Sequence, residues 1–315
     1  MRAQTGTGKY EELLVRCRSL PPVPTAVVHP CERSALSGAV EAAEHGLIVP
    51  IYVGPRARIE AVAAEACIDM GSAEIVDAPH SHAAVTKAVE LVREGRAELL
   101  MKGSLHTDEL LGAVVARESG LRTGKRVSHV FVMDVPTYHK VLVVTDAAIN
   151  IAPSLEDKRD ICQNAIDVAR VLGREQPKVA ILAAVETVSS KMPATIDAAA
   201  LCKMAERGQI QGGILDGPLA FDNAISADAA HTKGIQSNVA GDPDILLVPD
   251  LESGNILAKL LSFLVHSDSA GLVLGARVPV ILTSRADSIR ARVASCAVAV
   301  LTAHGRRAAA SKALS

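Results

Sequence analysis

Short apolar runs alternate with amphipathic or alanine-rich stretches through nearly the whole chain. Many of the runs are apolar on both faces, as in VLVVT at 141–145 and DILLVP at 244–249. Parallel strands that are covered by helices on both sides have this composition because neither face meets water. The pattern therefore predicts an α/β fold of the doubly wound kind.

The apolar runs predict strands at 25–29, 47–53, 74–77, 98–102, 129–135, 140–145, 178–183, 212–216, 244–248, 271–274 and 278–283. The stretches between them predict helices at 32–45, 56–68, 81–93, 107–118, 155–172, 193–207, 223–230, 253–265 and 286–303. Ser81, Ser154 and Asp287 stand at predicted helix starts, where a short oxygen-bearing side chain accepts a hydrogen bond from the first turn.

Two places break the alternation. The stretches at 129–145 and 271–284 each contain two strand-like runs joined by a short turn, which predicts antiparallel pairs. A chain of 315 residues is long for one core. We expect two α/β/α lobes with a cleft between them, one formed by residues 1–125 with 270–315 and the other by 126–269.

Composition argues against several classes of partner. The net charge is −2, aromatic residues make up 2% and tryptophan is absent, so neither nucleic acid nor an anionic membrane is an expected partner. The six cysteines form no C-x-x-C pair, which indicates reduced thiols in a cytoplasmic protein. The first residues contain no apolar run typical of a secretory signal, and VASCAVAVLTA at 293–303 is too short to span a bilayer.

Polar clusters follow several predicted strands, at the sheet edge where α/β proteins bind ligands. The first cluster, MKGSLHT at 101–107, offers a phosphate or carboxylate the groups of Lys102, Gly103, Ser104, His106 and Thr107. Its alternative explanation is ordinary helix capping.

Similar clusters occur elsewhere. ILTSRADS at 281–288 carries Ser284 and Arg285, a pair that suits binding of a phosphate group. The alternative is a surface arginine that forms an ion pair with Asp287. Another predicted strand is followed by Ser253, Gly254 and Asn255. The glycine would let a ligand approach the start of the helix. The alternative is that these residues only cap the helix.

Two other patterns are weak signals of a ligand site. GTGK at 6–9 lacks the preceding strand and the hydroxyl of a phosphate loop, and PHSH at 79–82 is more typical of a surface helix start than of a metal site. No G-x-G-x-x-G follows a strand, and no G-x-S-x-G elbow occurs.

The blocks MKGSLHTDELLGAVV, HVFVMDVP, DGPLAFDNAIS, GDPDILLVPDLESGNILAKLLSFL and VPVILTSRADS, in this order, resemble the phosphate acetyltransferase and phosphate butyryltransferase family. The N-terminal LPPVPTAVVHP also resembles the transferase part of proteins that fuse it to an enoyl-CoA hydratase-like domain. The resemblance implies the reaction acyl-CoA + phosphate ⇌ acyl phosphate + CoA, with an acetyl or short acyl group such as butyryl. It also implies a homodimer, a lobe architecture of the isocitrate/isopropylmalate dehydrogenase kind, and no tightly bound cofactor or metal, coenzyme A being a substrate.

The resemblance assigns roles to individual residues. Arg285 would hold phosphate and stabilise the oxyanion, while Ser284 would contact the thioester or the departing sulfur. Acetyl-type members carry Asp where this chain has Ala291, and Arg where it has Gly112. Both differences make the chain similar to the butyryl-type or a variant branch, and they leave Asp287 and His106 as the expected candidates for the general base.

Two other functions were weighed. A metal- and NAD-dependent β-decarboxylating dehydrogenase could share the architecture, with Asp216, Asp222 and Asp250 as metal ligands. The lack of a nicotinamide-binding segment argues against it. A catalytically inert binding protein is the other alternative, against which the retained Ser284–Arg285 pair argues.

Overall fold

The structure is a computed structural model, which describes residues 8–117, 121–284 and 287–314. The chain forms two compact units. The N-terminal unit comprises Gly8–Lys125 with Ala270–Ser315, and the central unit contains Arg126–Ser269. Each contains its own run of hydrogen-bonded strands with helices packed on them, so the fold is α/β and doubly wound, as predicted.

In the N-terminal unit the strands lie in the order β3-β2-β1-β4-β11-β10. Neighbours are parallel except β10 and β11, which are antiparallel. The strands are β1 (Val23–Val28), β2 (Ile48–Gly54), β3 (Glu74–Asp77), β4 (Leu99–Lys102), β10 (Asp268–Leu274) and β11 (Val280–Ile281). The helices are α1 (Lys9–Cys17), α2 (Arg33–Glu44), α3 (Arg56–Ala66), α4 (Ser81–Arg93), α5 (Thr107–Val115) and α11 (Ile289–Leu314).

The central unit has the strand order β5-β6-β9-β7-β8, in which only β5 and β6 are antiparallel. Its strands are β5 (Ser128–Asp134), β6 (Leu142–Thr145), β7 (Lys178–Leu182), β8 (Ile214–Leu219) and β9 (Ile245–Leu247). Its helices are α6 (Leu155–Val171), α7 (Pro193–Glu206), α8 (Phe221–Ile225), α9 (Ala227–Thr232) and α10 (Leu251–Phe263). The core includes buried side chains from β5, β6, β7 and β9, such as Met133, Val144, Ala180 and Leu246.

Both predicted antiparallel pairs are confirmed, and each of the eleven predicted strands has a counterpart. Helix α1 was not predicted, because its stability depends on packing against α11. There the ring of Tyr10 lies 3.6 Å from the Arg290 guanidinium carbon, and the Cys17 thiol lies 3.6 Å from the Ala297 carbonyl.

The single helix predicted at 223–230 is wrong, since Ser226 has extended backbone between α8 and α9 and caps the second of them through its Oγ. The cap at Ser154 is confirmed as a full capping box with Asp157. The cap at Ser81 is wrong, because Nδ1 of His80 accepts the first-turn bond instead. Asp287 is also not the cap of α11. The helix begins at Ile289, and the hydroxyl of the preceding Ser288 accepts a hydrogen bond from the Ala291 N–H.

No helix among the described residues is both long and apolar enough to cross a membrane. In particular, the apolar stretch at 293–303 is a buried part of α11.

Candidate active site

Three neighbouring parallel strands of the N-terminal unit end at one edge of its sheet. β4 lies between β1 and β11, with Lys102 beside Val28 and Met101 beside Ile281. The segments that follow these strands therefore leave the sheet side by side, at the carboxyl edge where α/β folds bind ligands. They contain the predicted clusters at 102–107 and 284–287.

Gly103 and Ser104 tie the end of β4 to the end of β1. A Cβ on Gly103 would lie 2.3 Å from the Val28 carbonyl oxygen, so only glycine fits there. The Ser104 hydroxyl donates to the His29 carbonyl (2.7 Å) and accepts the Cys31 N–H (2.9 Å). Its one donor is thus used inside the protein. The structure gives Ser104 a positioning role in place of the predicted contact with an anion.

The start of α5 is the part of this edge that offers polar groups outward. His106 is its N-cap residue, with an exposed side chain that makes no capping bond, and Thr107 is the first helical residue. The first-turn N–H groups of a helix have no partner within the helix and carry partial positive charge. An anion at this helix start would meet both the backbone and these two side chains.

Lys102 brings a positive charge to the edge from inside the sheet. Its side chain is buried, with 5% exposure, and its Nζ lies 3.4 Å from the Gly103 carbonyl. The charge acts on Asp287, since it is among the groups that lower the pKa of that carboxyl. Lys102 and the turn after β11 therefore share one electrostatic environment.

Ser284 and Asp287 form a closed turn after β11. The Ser284 N–H donates to Asp287 Oδ2 (2.7 Å), and the Asp287 N–H donates back to the Ser284 carbonyl (3.2 Å). Burial raises the pKa of Asp287, while the Ser284 N–H, Arg292 and Lys102 oppose the rise. Ser284 has an exposed side chain, and Arg285 lies outside the described residues.

Arg292 is a charged residue at this edge that sequence reasoning missed. It lies in the first turns of α11 and is 3% exposed, with its guanidinium bonded to Thr283 Oγ1 (2.7 Å) and to the Ser284 carbonyl (2.8 Å). Burial lowers the pKa of its guanidinium, and Asp287 acts in the opposite direction. In the sequence it follows Ala291 by one position, and nothing in the sequence distinguishes it from the surface arginines of α11.

The third predicted cluster belongs to the central unit, and local packing accounts for it. Ser253 N–H and Oγ both donate to Asp250 Oδ1 (2.8 and 2.5 Å), so Asp250 caps α10. A Cβ on Gly254 would lie 2.6 Å from the Asp146 carbonyl oxygen, and Asn255 donates to the Ala147 carbonyl (3.1 Å). Gly254 thus permits contact with the backbone that follows β6, and the predicted approach of a ligand stays a prediction.

The aspartates considered as metal ligands also make local contacts. Asp222 pairs with Lys233 (3.2 Å), and Asp216 accepts the Gly217 N–H (2.8 Å). Within the part of the chain that the structure describes, no group of three or more His, Cys, Asp or Glu side chains suits a metal ion. His80 and His82 start α4, where His82 pairs with Glu109, which confirms their interpretation as a surface helix start.

Comparison with known proteins finds relatives over most of the chain. Residues 80–300 match the family model described as phosphate acetyl/butaryl transferase. The chain is 65% identical over 301 residues, 96% of its length, to a phosphate acetyltransferase of Rhizobium meliloti, of which it covers 95%. It is 42% identical to a phosphate butyryltransferase of Clostridium acetobutylicum, over 93% of this chain and 98% of that one.

A solved structure shows the same fold. The crystal structure of a branched-chain phosphotransacylase from Enterococcus faecalis superposes with a TM-score of 0.78 at 30% identity, covering 90% of this chain and 99% of that one. The family model alone spans well over half of the sequence. The chain therefore belongs to the phosphate acetyl/butyryl transferase family of acyltransferases.

Proposed function

We propose that this protein transfers an acyl group from coenzyme A to inorganic phosphate, in the reaction acyl-CoA + phosphate ⇌ acyl phosphate + CoA. The observation that carries the proposal is the shared carboxyl edge of β4 and β11, where a buried lysine, a helix start and the closed turn at Ser284–Asp287 come together. Such an edge suits a small oxyanion. The relative with 65% identity is named an acetyltransferase, which favours acetyl over longer groups.

In the forward direction, a phosphate oxygen attacks the thioester carbonyl carbon, and the carbonyl oxygen takes on negative charge. The C–S bond then breaks, and CoA leaves as a thiolate that takes up a proton. Phosphate is already a competent oxygen nucleophile at neutral pH, so this direction needs positioning and charge neutralisation above all. Lys102 would supply charge, Arg285 would hold the phosphate, and Ser284 would contact the sulfur.

In the reverse direction, the CoA thiol must lose its proton before it attacks the acyl phosphate. Ala291 provides no base at the position where acetyl-type members carry aspartate. Its place in the first turn of α11 is buried. We propose Asp287 or His106 for this role, both of which belong to the same sheet edge. Proton removal by either would matter more for acyl-CoA formation than for its breakdown.

A thiol-release assay tests the reaction itself. Wild-type protein is given phosphate with acetyl-, propionyl-, butyryl- and longer acyl-CoAs, beside Arg285→Ala and the control Arg56→Ala, whose side chain is in an exposed pair with Glu60. We expect loss of an oxyanion contact to reduce kcat by about 100-fold or more. Absence of phosphate-dependent thiol release by the wild type with every acyl-CoA would overturn the proposal.

A second assay separates the two candidates for the base. Rates are measured in both directions for Asp287→Ala and His106→Gln. The variant that loses the base should slow acyl-CoA formation more than acyl phosphate formation. Equal losses in both directions would indicate a positioning role, and unchanged rates would remove that residue from the mechanism.

We also propose that the enzyme is a homodimer. Four apolar side chains of the central unit are exposed along one stripe at the C-terminal part of α10, namely Ile256, Leu260, Phe263 and Leu264. Exposed apolar patches of this kind are typical of interfaces between protein chains. Light scattering on Ile256→Glu/Phe263→Glu should give a monomer, whereas the control Val188→Glu, also at an exposed apolar residue, should behave as wild type.

The cytoplasm is the compartment we propose for it. Cys17, Cys31, Cys162 and Cys296 are buried as single thiols, a usage typical of reducing compartments. Cell fractionation would test this assignment.

A further inference from the structure

The backbone of Ser284 is held from several directions at once. Its N–H donates to the Asp287 carboxylate, and its carbonyl accepts from the Asp287 N–H and from the Arg292 guanidinium. A second N–H group of that guanidinium donates to the preceding hydroxyl, Thr283 Oγ1. Arg292 therefore bonds two consecutive residues at the point where the chain leaves β11 and leads to Arg285.

The fold provides space for this arginine. Helix α2 packs against α11, and a Cβ on Gly38 would lie 2.6 Å from Arg292 Cδ. Glycine is less favourable than alanine within a helix. Gly38 thus lowers the helix propensity of α2 at the point where the Arg292 side chain packs against it.

Burial of the Arg292 guanidinium is also unfavourable in free energy. Removing an ion from water is unfavourable, and pairing and hydrogen bonds compensate for it only in part. Arg292 Nε makes no hydrogen bond to any residue that the structure describes. Packing alone would be served better by an apolar side chain of similar size. A charge kept under these conditions next to a predicted phosphate site calls for a role at that site.

We propose that Arg292 is a positioning residue of the acyl transfer reaction: it fixes the backbone at Thr283 and Ser284 so that Ser284 meets the thioester in the reactive geometry. This inference rests on the proposed function and adds to it a residue that does not touch the substrates. A displacement of about 1 Å at reacting groups can cost on the order of 100-fold in rate, so the planar two-point contact should matter beyond its contribution to stability.

The experiment compares Arg292→Ala, Arg292→Lys and the control Arg307→Ala, which removes an arginine of the same helix from its surface pair with Glu98. Thiol release is measured against phosphate and acyl-CoA concentration. Arg292→Ala should lower kcat by about 100-fold. Lysine keeps the charge but lacks the two-pronged geometry, so Arg292→Lys should recover only part of the loss. Arg307→Ala should retain wild-type kcat.

Gly38→Ala provides a second test that keeps the arginine. The new methyl group should displace the Arg292 side chain and lower kcat by about 10-fold, while the thermal midpoint stays near that of the wild type because the helix gains propensity. In the Arg292→Ala background the same change should have no further effect on kcat. Independent, multiplying effects of the two substitutions would contradict the proposal.

The outcomes separate the inference from the proposed function. If the wild type releases thiol and Arg292→Ala does so at the same kcat, the positioning role is wrong and the function stands. If the wild type releases none, protection from thermal unfolding by inorganic phosphate is compared for wild type and Arg292→Ala. Protection lost only in the variant would support the role of Arg292 at a phosphate site, and equal protection, or none in either protein, would overturn it.

Discussion

The two units of this protein carry strand-end clusters of the same appearance but with a different balance of buried charge. At the edge of β4 and β11, the buried side chains Lys102 and Arg292 are cations. At the end of β6 in the central unit, Asp146 is buried and Asp250 caps the adjacent helix α10, while the buried Lys158 is among the groups that lower the pKa of Asp250. The comparison shows that small polar residues after a strand do not by themselves indicate an anion site. The balance of buried charge is the better indicator, because a phosphate must be neutralised where water is excluded.

In both clusters the glycine permits a close backbone contact, and this is where substitution should have its largest effect. Gly103→Ala and Gly254→Ala would each place a methyl group against a fixed carbonyl oxygen, so we expect losses of about 3–4 kcal/mol in the free energy of unfolding. Urea unfolding would measure them. Gly112→Ala is the matched control, since its position on α5 is open and alanine should stabilise the helix by roughly 1 kcal/mol. Two glycine variants as stable as the wild type would show that the backbones can separate at little cost.

The charge difference itself is tested at Lys102. Lys102→Met keeps much of the apolar stem but removes the charge, and it should lower kcat/KM for phosphate by about 100-fold because the site loses a buried cation. The value of kcat/KM for acyl-CoA should fall by a smaller factor. Lys203→Met, at an exposed lysine paired with Glu206, is the control in the central unit. A phosphate dependence unchanged in Lys102→Met would remove the electrostatic distinction between the two edges.

The serines of the two clusters form a matched pair with intermediate effects. Ser104→Ala removes one of the two acceptors of the Cys31 N–H, which also donates to the His29 carbonyl (2.8 Å), and it should cost about 1 kcal/mol of stability. It should also lower kcat, because Ser104 no longer holds the ends of β1 and β4 together. Ser253→Ala removes a bond to the cap of α10 and should cost about 1 kcal/mol, with kcat and both KM values unchanged. A tenfold rise in KM for CoA in Ser253→Ala would instead restore the ligand-binding role predicted from the sequence.

The smallest expected effect concerns an acidic network that belongs only to the central unit. Burial raises the pKa of Asp242, but hydrogen bonds from Lys178 and Lys140 outweigh burial and bring it to about 2. Because the folded-state pKa lies below the unfolded value, this group stabilises the fold at neutral pH and loses that contribution as the pH falls towards 2.

Asp242→Asn should therefore flatten the loss of stability between pH 4 and 2, as measured by urea unfolding at several pH values. The effect should be modest because the side chain is 41% exposed and its ion pairs are screened. Asp228→Asn, at an exposed carboxylate of α9, is the control. Equal acid sensitivity of the wild type and Asp242→Asn would show that the network contributes nothing there.

The sequence by itself determined the fold class, the strands and the family. Runs such as VLVVT are apolar on both faces because both faces are covered, and that pattern depends only on local composition. The helix cap at Ser154 could also be predicted from the sequence, because a capping box involves two residues only three positions apart. The family resemblance rested on blocks of contiguous residues, which the sequence displays directly.

Only the tertiary structure decided what the polar groups of each cluster do. Ser104 bonds to residues 73 and 75 positions earlier in the chain, and Gly254 contacts the Asp146 backbone. Arg292 stayed unnoticed because an arginine in an alanine-rich helix has the sequence appearance of a surface residue. Its burial depends on Gly38, more than 250 positions away. Contacts of such long range depend on how helices and strands pack, and hydrophobic periodicity along the chain carries no record of them.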